Sequence, residues 1–357
     1  MGTLNTDNQN AIKITVEDLE KVKVSDVAGP ILPAAPGTRS YGTITDATEQ
    51  APTATAEGRG SILLQGWFYL GISGFLGALA GWAICEPGFV DGQKKGAFHW
   101  GNFWMVPIIL TLMSLGFGIA ESAVERSAKK ALLRGVLALP LGILLGFVFY
   151  FMGNVIFGML VGIVVDLGAQ SIKNPAFWIA RGLAWAAFAA AGGVVYGIIG
   201  QSSKKGMYGV IGGMIGAGLG GTIFDPISLA AHGAGLSRAV GFALVGLATG
   251  VGMGLVESAL KDRWLYVTAG PLSGKQFILY KPRTSVGSKQ DSDIYLFKDP
   301  SILPEHATLE LSGSRVQIHA NGPVYLAGGT VRTRVLQDND LLQIGRYSFR
   351  YKEKQRT

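Results

Sequence analysis

At 357 residues, 48% hydrophobic and 15% charged, with 52 glycines, the chain has room for two or three domains but is too apolar for an average soluble protein. The net charge of +7 comes without any nucleic-acid-binding motif, and basic loops of a membrane protein produce the same sign. One cysteine, Cys85, excludes an intrachain disulfide framework and reads as a small packed residue; four scattered histidines (His99, His232, His306, His319) lack the spacing of metal ligands. No nucleophile–base pair, metal cluster or phosphate loop is visible, so the chain does not read as an enzyme and no cofactor is expected.

Residues 1–66 read as a disordered tail, because the Pro-, Ala-, Thr- and Gly-rich stretch from Ala28 to Gly60 cannot bury enough apolar surface to offset chain entropy. It has no apolar h-region of a cleavable signal, so the first internal helix is expected to direct membrane entry. Its threonines (Thr43, Thr45, Thr48, Thr53 and Thr55) are accessible to a kinase, and a phosphorylated one could dock on a recognition module of this chain or of a neighbour.

The character changes at Trp67. Uncharged apolar runs near the length of a spanning helix occupy 67–85, 103–120, 182–200, 206–224 and 239–256. A longer run, 135–165, is either one tilted helix or one broken near Gly153-Asn154. Six spans are therefore expected within a membrane domain of residues 67–262, with Trp67, Phe68, Tyr69, Trp100, Phe103 and Trp104 as interfacial anchors. Basic residues after the even-numbered spans (Arg126, Lys129, Lys130, Arg134; Lys204, Lys205; Lys261, Arg263) outweigh those on the other side (Lys94, Lys95, Lys173, Arg238, with Arg181 nearby). That bias places both termini in the cytoplasm of a multi-pass protein of the plasma (inner) membrane.

The membrane block contains an internal repeat. Gly77 and Gly81, four residues apart and followed by Glu86-Pro87, match Gly216 and Gly220, followed by Asp225-Pro226. Gly118-Ile-Ala-Glu121-Ser122-Ala123 matches Gly254-Leu-Val-Glu257-Ser258-Ala259 at nearly the same separation, and a weaker copy lies between Gly158 and Ser202. The pattern predicts three helical hairpins in series. In lipid, helix association depends on close backbone approach, which Gly77, Gly81, Gly216 and Gly220 permit. Pro87 and Pro226 are expected to end their helices. Glu121 and Glu257, polar residues at the ends of even-numbered helices, either terminate a scaffold within reach of water and neighbouring lysines or line a pore. The glycine faces also allow packing against a second copy of the chain.

From Trp264 the pattern becomes short strands: 264–268, 276–280, 307–311, 315–319, 323–326, 340–344 and 347–351, punctuated by Gly270-Pro271 and Gly328-Gly329. Many short strands with such turns imply a β-sandwich over residues 263–357. The order Val286-Gly287-Ser288, then Asp299 to Leu309 with His306, then Asn321-Gly322, then Leu336 to Gly345 resembles the forkhead-associated (FHA) domain. The resemblance implies a module that reads phosphothreonine peptides, with Gly287 and His306 in structural roles. It covers about a quarter of the chain.

Phosphothreonine recognition demands a guanidinium and several hydroxyl or amide donors on loops at one end of the sandwich. Where the family usually carries arginine this chain has Ser288, with Lys289 next to it; where it carries serine there is Leu303; before Asn321 stands Ala320. The candidate phosphopeptide-binding residues are therefore Ser288, Lys289, Ser301, Asn321 and Gly322. Losing the arginine and two hydroxyls removes hydrogen bonds of roughly 1.5–3 kcal/mol each, and lysine lacks the fork geometry. The resulting expectation is a membrane-anchored adaptor whose module binds a protein partner, through phosphothreonine or in a phosphate-independent contact. The resemblance suggests kinase signalling or a multiprotein membrane assembly as its setting. The alternative is a channel gated by the same module. Basic residues outnumber acidic ones from Lys275 onward, which favours acidic partners or the anionic leaflet.

Overall fold

The computed structural model describes residues 61–91, 98–169, 171, 173–230, 234–313, 315–326 and 328–354. Residues 1–60 of the expected disordered tail, with its threonines, lie outside these residues; of the remainder, Ile62–Leu64 form a 3-10 turn and Gly66 begins the first helix. Six helices follow one another: α1 (Gly66–Cys85), α2 (Trp100–Val124), α3 (Ala128–Asp166), α4 (Pro175–Ile199), α5 (Ser203–Ala230) and α6 (Ala234–Leu260). All six are long and apolar enough to cross a membrane. α1 nearly coincides with its apolar run, while α2 to α6 extend beyond theirs at one or both ends, because polar and charged residues at an interface join a helix at little cost.

Each helix packs on its neighbours in sequence, and α1 packs on α6, so the six form a closed ring; α2 also reaches α4 across it. The interior is filled rather than open. Leu70, Met113, Phe117, Tyr196 and Met253 belong to one buried cluster, and Phe117 is only 1% exposed. Glycine makes the ring seams. A Cβ on Gly74 would overlap the carbonyl of Gly246, and one on Gly216 would overlap that of Ala248, so α1–α6 and α5–α6 meet backbone to backbone. Gly77 and Gly81 lie against the backbones of Met113 and Ile109 on α2, and Gly220 lies against Val245 on α6.

Two expectations about the helices are settled differently. α3 runs unbroken for 39 residues through Gly153-Asn154, so it is one helix. Pro226 does not end α5, which continues to Ala230. A proline inside a membrane helix removes one intrahelical hydrogen bond, and neighbouring helices hold the backbone in place. Pro107 and Pro140 are carried in the same way. Pro87 does follow the end of α1, within a short 3-10 turn.

The turns α2–α3 and α4–α5 share one design. Arg126 (φ 56°) and Gln201 (φ 52°) take the left-handed conformation. Each is followed by a serine, Ser127 or Ser202, whose N–H closes a six-to-one bond to Ser122 O or Gly197 O. Each serine hydroxyl then accepts from the N–H three residues on, Lys130 at 3.3 Å and Lys205 at 3.2 Å. The turns thereby bring two lysines inside.

The C-terminal domain is a nine-stranded sheet folded into a sandwich, ordered β2-β1-β9-β8-β6-β5-β3-β4, with β7 also on β6. Its strands are β1 (Arg263–Ala269), β2 (Gln276–Ile278), β3 (Arg283–Gly287), β4 (Ile294–Tyr295), β5 (Ala307–Ser312), β6 (Arg315–Leu326), β7 (Gly329–Val335), β8 (Leu341–Ile344) and β9 (Tyr347–Glu353). Among the described residues only β3 and β4 pair in parallel. Alternation fills the core: Leu265 and Val267 from β1, Leu309 from β5, Ile318 from β6, and Tyr347, Phe349 and Tyr351 from β9 are all buried. Burial pushes the Tyr347 phenol up to about 12, and its Oη donates to Phe297 O at 2.7 Å.

Strands β3, β4 and β7 were not anticipated. β4 is two residues long, and β7 is exposed except at Val331, so neither presents an apolar alternation. The runs 315–319 and 323–326 are one strand, β6, whose register shifts between His319 and Val324. Asn321-Gly322 occupies that irregularity, where β6 passes from β5 to β8.

Candidate functional site

Three segments meet at one end of the sandwich: the β3–β4 connection from Ser288, the β4–β5 loop ending at His306, and the irregularity in β6. His306, 1% exposed, is the pin. Its Nδ1 accepts from Leu303 N at 3.1 Å, which leaves Nε2 protonated to donate to Pro323 O at 3.0 Å. Gly322 lies flat on the imidazole, where any Cβ would overlap the ring. Asn321 N and Gly322 N both donate to His306 O, at 2.8 and 3.0 Å. Gly287 lies as tightly against Pro304 O. Gly287 and His306 are thus both held by close contacts at this end of the sandwich. Alanine at His306 is expected to cost about 2–4 kcal/mol, since it removes two hydrogen bonds and the buried imidazole that packs on Gly322. Chemical denaturation of the full chain in detergent measures this loss.

The candidate phosphopeptide residues come together in part, and most of their donors are already used. Ser288 Oγ donates to Ile302 O at 2.8 Å, turning inward to hold the loop. Lys289 is exposed and stands 3.5 Å from Asp291, so part of its charge is compensated. Ser301 Oγ donates to Asp299 Oδ1 at 2.7 Å. Asn321 Nδ2 donates to Glu305 O at 3.2 Å. Asp299 is the group that sequence reasoning missed. Hydrogen bonds from Ser301 and from Arg346 N hold its carboxyl below the ordinary aspartate value, keeping a negative charge at this rim. Leu303, in the usual serine position, is 43% exposed among Pro304, Glu305 and Asn321.

The β3–β4 connection has a second neighbour, the α2–α3 turn. Glu125, 1% exposed, accepts from Lys130 Nζ at 3.0 Å and from Lys275 Nζ at 2.6 Å. Lys130 Nζ also donates to Ser292 O and Asp293 O, both at 3.0 Å, and Ser127 Oγ donates to Gln290 O at 2.8 Å. Lys275 Nζ lies 4.7 Å from the Phe277 ring centre. Nearby, Asp293 accepts from Lys281 Nζ at 2.7 Å and from Ser285, and these bonds hold its carboxyl below the ordinary range. Hence the loop end of the sandwich is seated on the helices through buried charge. Nothing local in the sequence marks Glu125 or Lys275, which are far apart along the chain.

Glu121 and Glu257 also serve this end. Glu121 accepts from Lys205 at 2.8 Å and Arg134 at 3.0 Å. Glu257, which is buried, accepts from Tyr280 Oη of the sandwich at 2.8 Å and Tyr196 Oη at 3.1 Å. At Glu121 the partners are basic side chains. For Glu257 tyrosine hydroxyls take that place, because β2 and its following turn cover the end of α6. Among the described residues, no group of three or more histidine, cysteine, aspartate or glutamate side chains could hold a metal.

Residues 266–355 match the family model described as "Inner membrane component of T3SS, cytoplasmic domain". The glycogen accumulation regulator GarA of Mycolicibacterium smegmatis is 36% identical over 86 residues, which cover 23% of this chain and 54% of that protein. The chain thus spans about half the length of that curated relative. Among solved structures, the FHA domain of the CT664 protein from Chlamydia trachomatis is 26% identical, with 27% of this chain and 100% of that chain covered and a TM-score of 0.25. The cytoplasmic domain of the sorting-platform protein PscD from P. aeruginosa is 23% identical over 27% of this chain and 83% of that chain, with a TM-score of 0.24. The C-terminal domain is of forkhead-associated type, carried on a bundle of apolar helices.

Proposed function

We propose that this chain is a non-enzymatic membrane adaptor whose FHA-type domain, on the cytoplasmic side, holds a protein partner through the surface around Leu303 and Asn321, without reading phosphate. The observation that carries this reading is the state of the rim. Its hydroxyls are bonded inward or to a carboxylate, and Asp299 adds a charge that repels phosphate. An exposed leucine between prolines is a protein-contact surface of ordinary kind. The filled interior of the helix ring and the paired state of Glu121 and Glu257 support anchoring over conduction.

Photo-crosslinking in cells tests the reading, with the reactive residue placed at Leu303 or Asn321 and, as a control, at Arg332 on β7. The expected result is one protein adduct from the first two positions, unchanged after phosphatase treatment. Adducts that vanish with phosphatase would establish phosphothreonine reading instead. Equal adducts from all three positions, or none, would remove the proposed surface.

A further inference from the structure

At the end of the helix ring away from the sandwich lies a cavity of about 370 Å³, within the size of small-molecule sites, roughly 300–1,000 Å³. It is walled by residues of α2 to α6 and by the segment after α1. Met105 and Phe242 in its wall belong to the packed centre of the ring, so it ends blind. Its chemistry is aromatic. Trp185 stacks near Phe224 at 5.6 Å and 29°, and Tyr150 stacks near Phe188 at 6.2 Å and 26°.

Three charged side chains line this cavity, and their partners decide its sign. Arg181 lies over Phe157 and Phe224 and gives its Nε to Asp225, which is 2% exposed, at 2.9 Å. Arg238 lies over Phe89 and is gripped by Glu86 at 2.5 Å and by Asp91 at 2.6 Å. Among the described residues two guanidiniums therefore meet three carboxylates, and the surplus negative charge falls on Asp91, whose side chain is 61% exposed. Among the described residues no cation covers the rings of Tyr150, Trp185, Phe188 or Phe242. An apolar cavity walled by aromatic rings, with one surplus carboxylate, suits a ligand of opposite sign with an apolar body.

We infer that this cavity is a binding site for a small organic cation carrying an aromatic or aliphatic body, seated on Trp185 and Tyr150 with its charge toward Asp91. The inference does not depend on the partner proposed for the sandwich.

The full chain in lipid nanodiscs tests it by calorimetry with benzyltrimethylammonium and, as the anionic counterpart of similar size, benzenesulfonate. Saturable binding of the ammonium is expected, with the sulfonate at least roughly tenfold weaker. Asp91→Asn, at an exposed position, should weaken the ammonium by about tenfold while leaving thermal unfolding of the free protein unchanged. Trp185→Phe, which keeps an aromatic face but a smaller one, should weaken the ammonium by less than Asp91→Asn does. No saturable binding of the ammonium, binding of the sulfonate as tight or tighter, or an Asp91→Asn variant that binds like the parent would each overturn the inference.

Discussion

Alanine at Glu125 is expected to destabilise the seating of the sandwich on the helices by about 3–5 kcal/mol, whereas methionine at Lys275 should cost about 1 kcal/mol or less. The asymmetry follows from charge balance. Two ammonium groups converge on one carboxylate that is 1% exposed. Removing Glu125 leaves both lysines buried and uncompensated except by Ser292 O, Asp293 O and the Phe277 ring. Removing Lys275 leaves the Glu125–Lys130 pair matched one to one, with an apolar side chain of similar length in the vacated space. Hydrogen exchange on the full chain in nanodiscs reads the difference. The β3–β4 connection and the α2–α3 turn should lose protection together in Glu125→Ala and hardly change in Lys275→Met. Equal effects from the two variants would mean that the triad does not hold the domain in place.

Leucine at Gly74 is expected to open the ring, at a cost of at least about 3 kcal/mol, while leucine at Gly158 should be neutral or mildly stabilising. Gly74 meets Gly246 so closely that a Cβ would overlap its carbonyl carbon and oxygen, and backbone cannot rotate away as a side chain can. The α1–α6 seam would then have to part, exposing the contacts that close the ring. Gly158, on α3, has nothing within 4 Å of an added Cβ, so the larger residue meets open space and gains helix propensity. Thermal unfolding in a mild detergent compares them. If both variants melt like the parent, close glycine packing is not what closes the ring.

The helix count, the β-domain and its type were legible because each rests on a local periodic signal. Six apolar runs of spanning length cannot be hidden, and alternation marks β1, β5, β8 and β9. β4 is too short and β7 too exposed to carry such a signal, and β3, Arg-Thr-Ser-Val-Gly, offers only one large apolar side chain, Val286. Pro226 misled because the rule that proline ends a helix assumes that the freed carbonyl must reach water. Inside a bundle, neighbouring helices keep the segment helical.

The site divides along the same line. The sequence by itself determined which residues occupy the motif positions: Gly287, Ser288, His306, Asn321 and Gly322, and which donors of the family pattern are missing. The tertiary structure alone decided what those residues do. Ser288 turns its hydroxyl inward, Ser301 serves Asp299, and the loop beside them rests on Ser127 and Lys130. It also decided that Asp225, Glu86 and Asp91 face two arginines around an aromatic cavity. The physical reason is range. Propensity and periodicity act between residues a few positions apart, whereas charge compensation and hydrogen-bond commitment depend on groups that only folding makes neighbours.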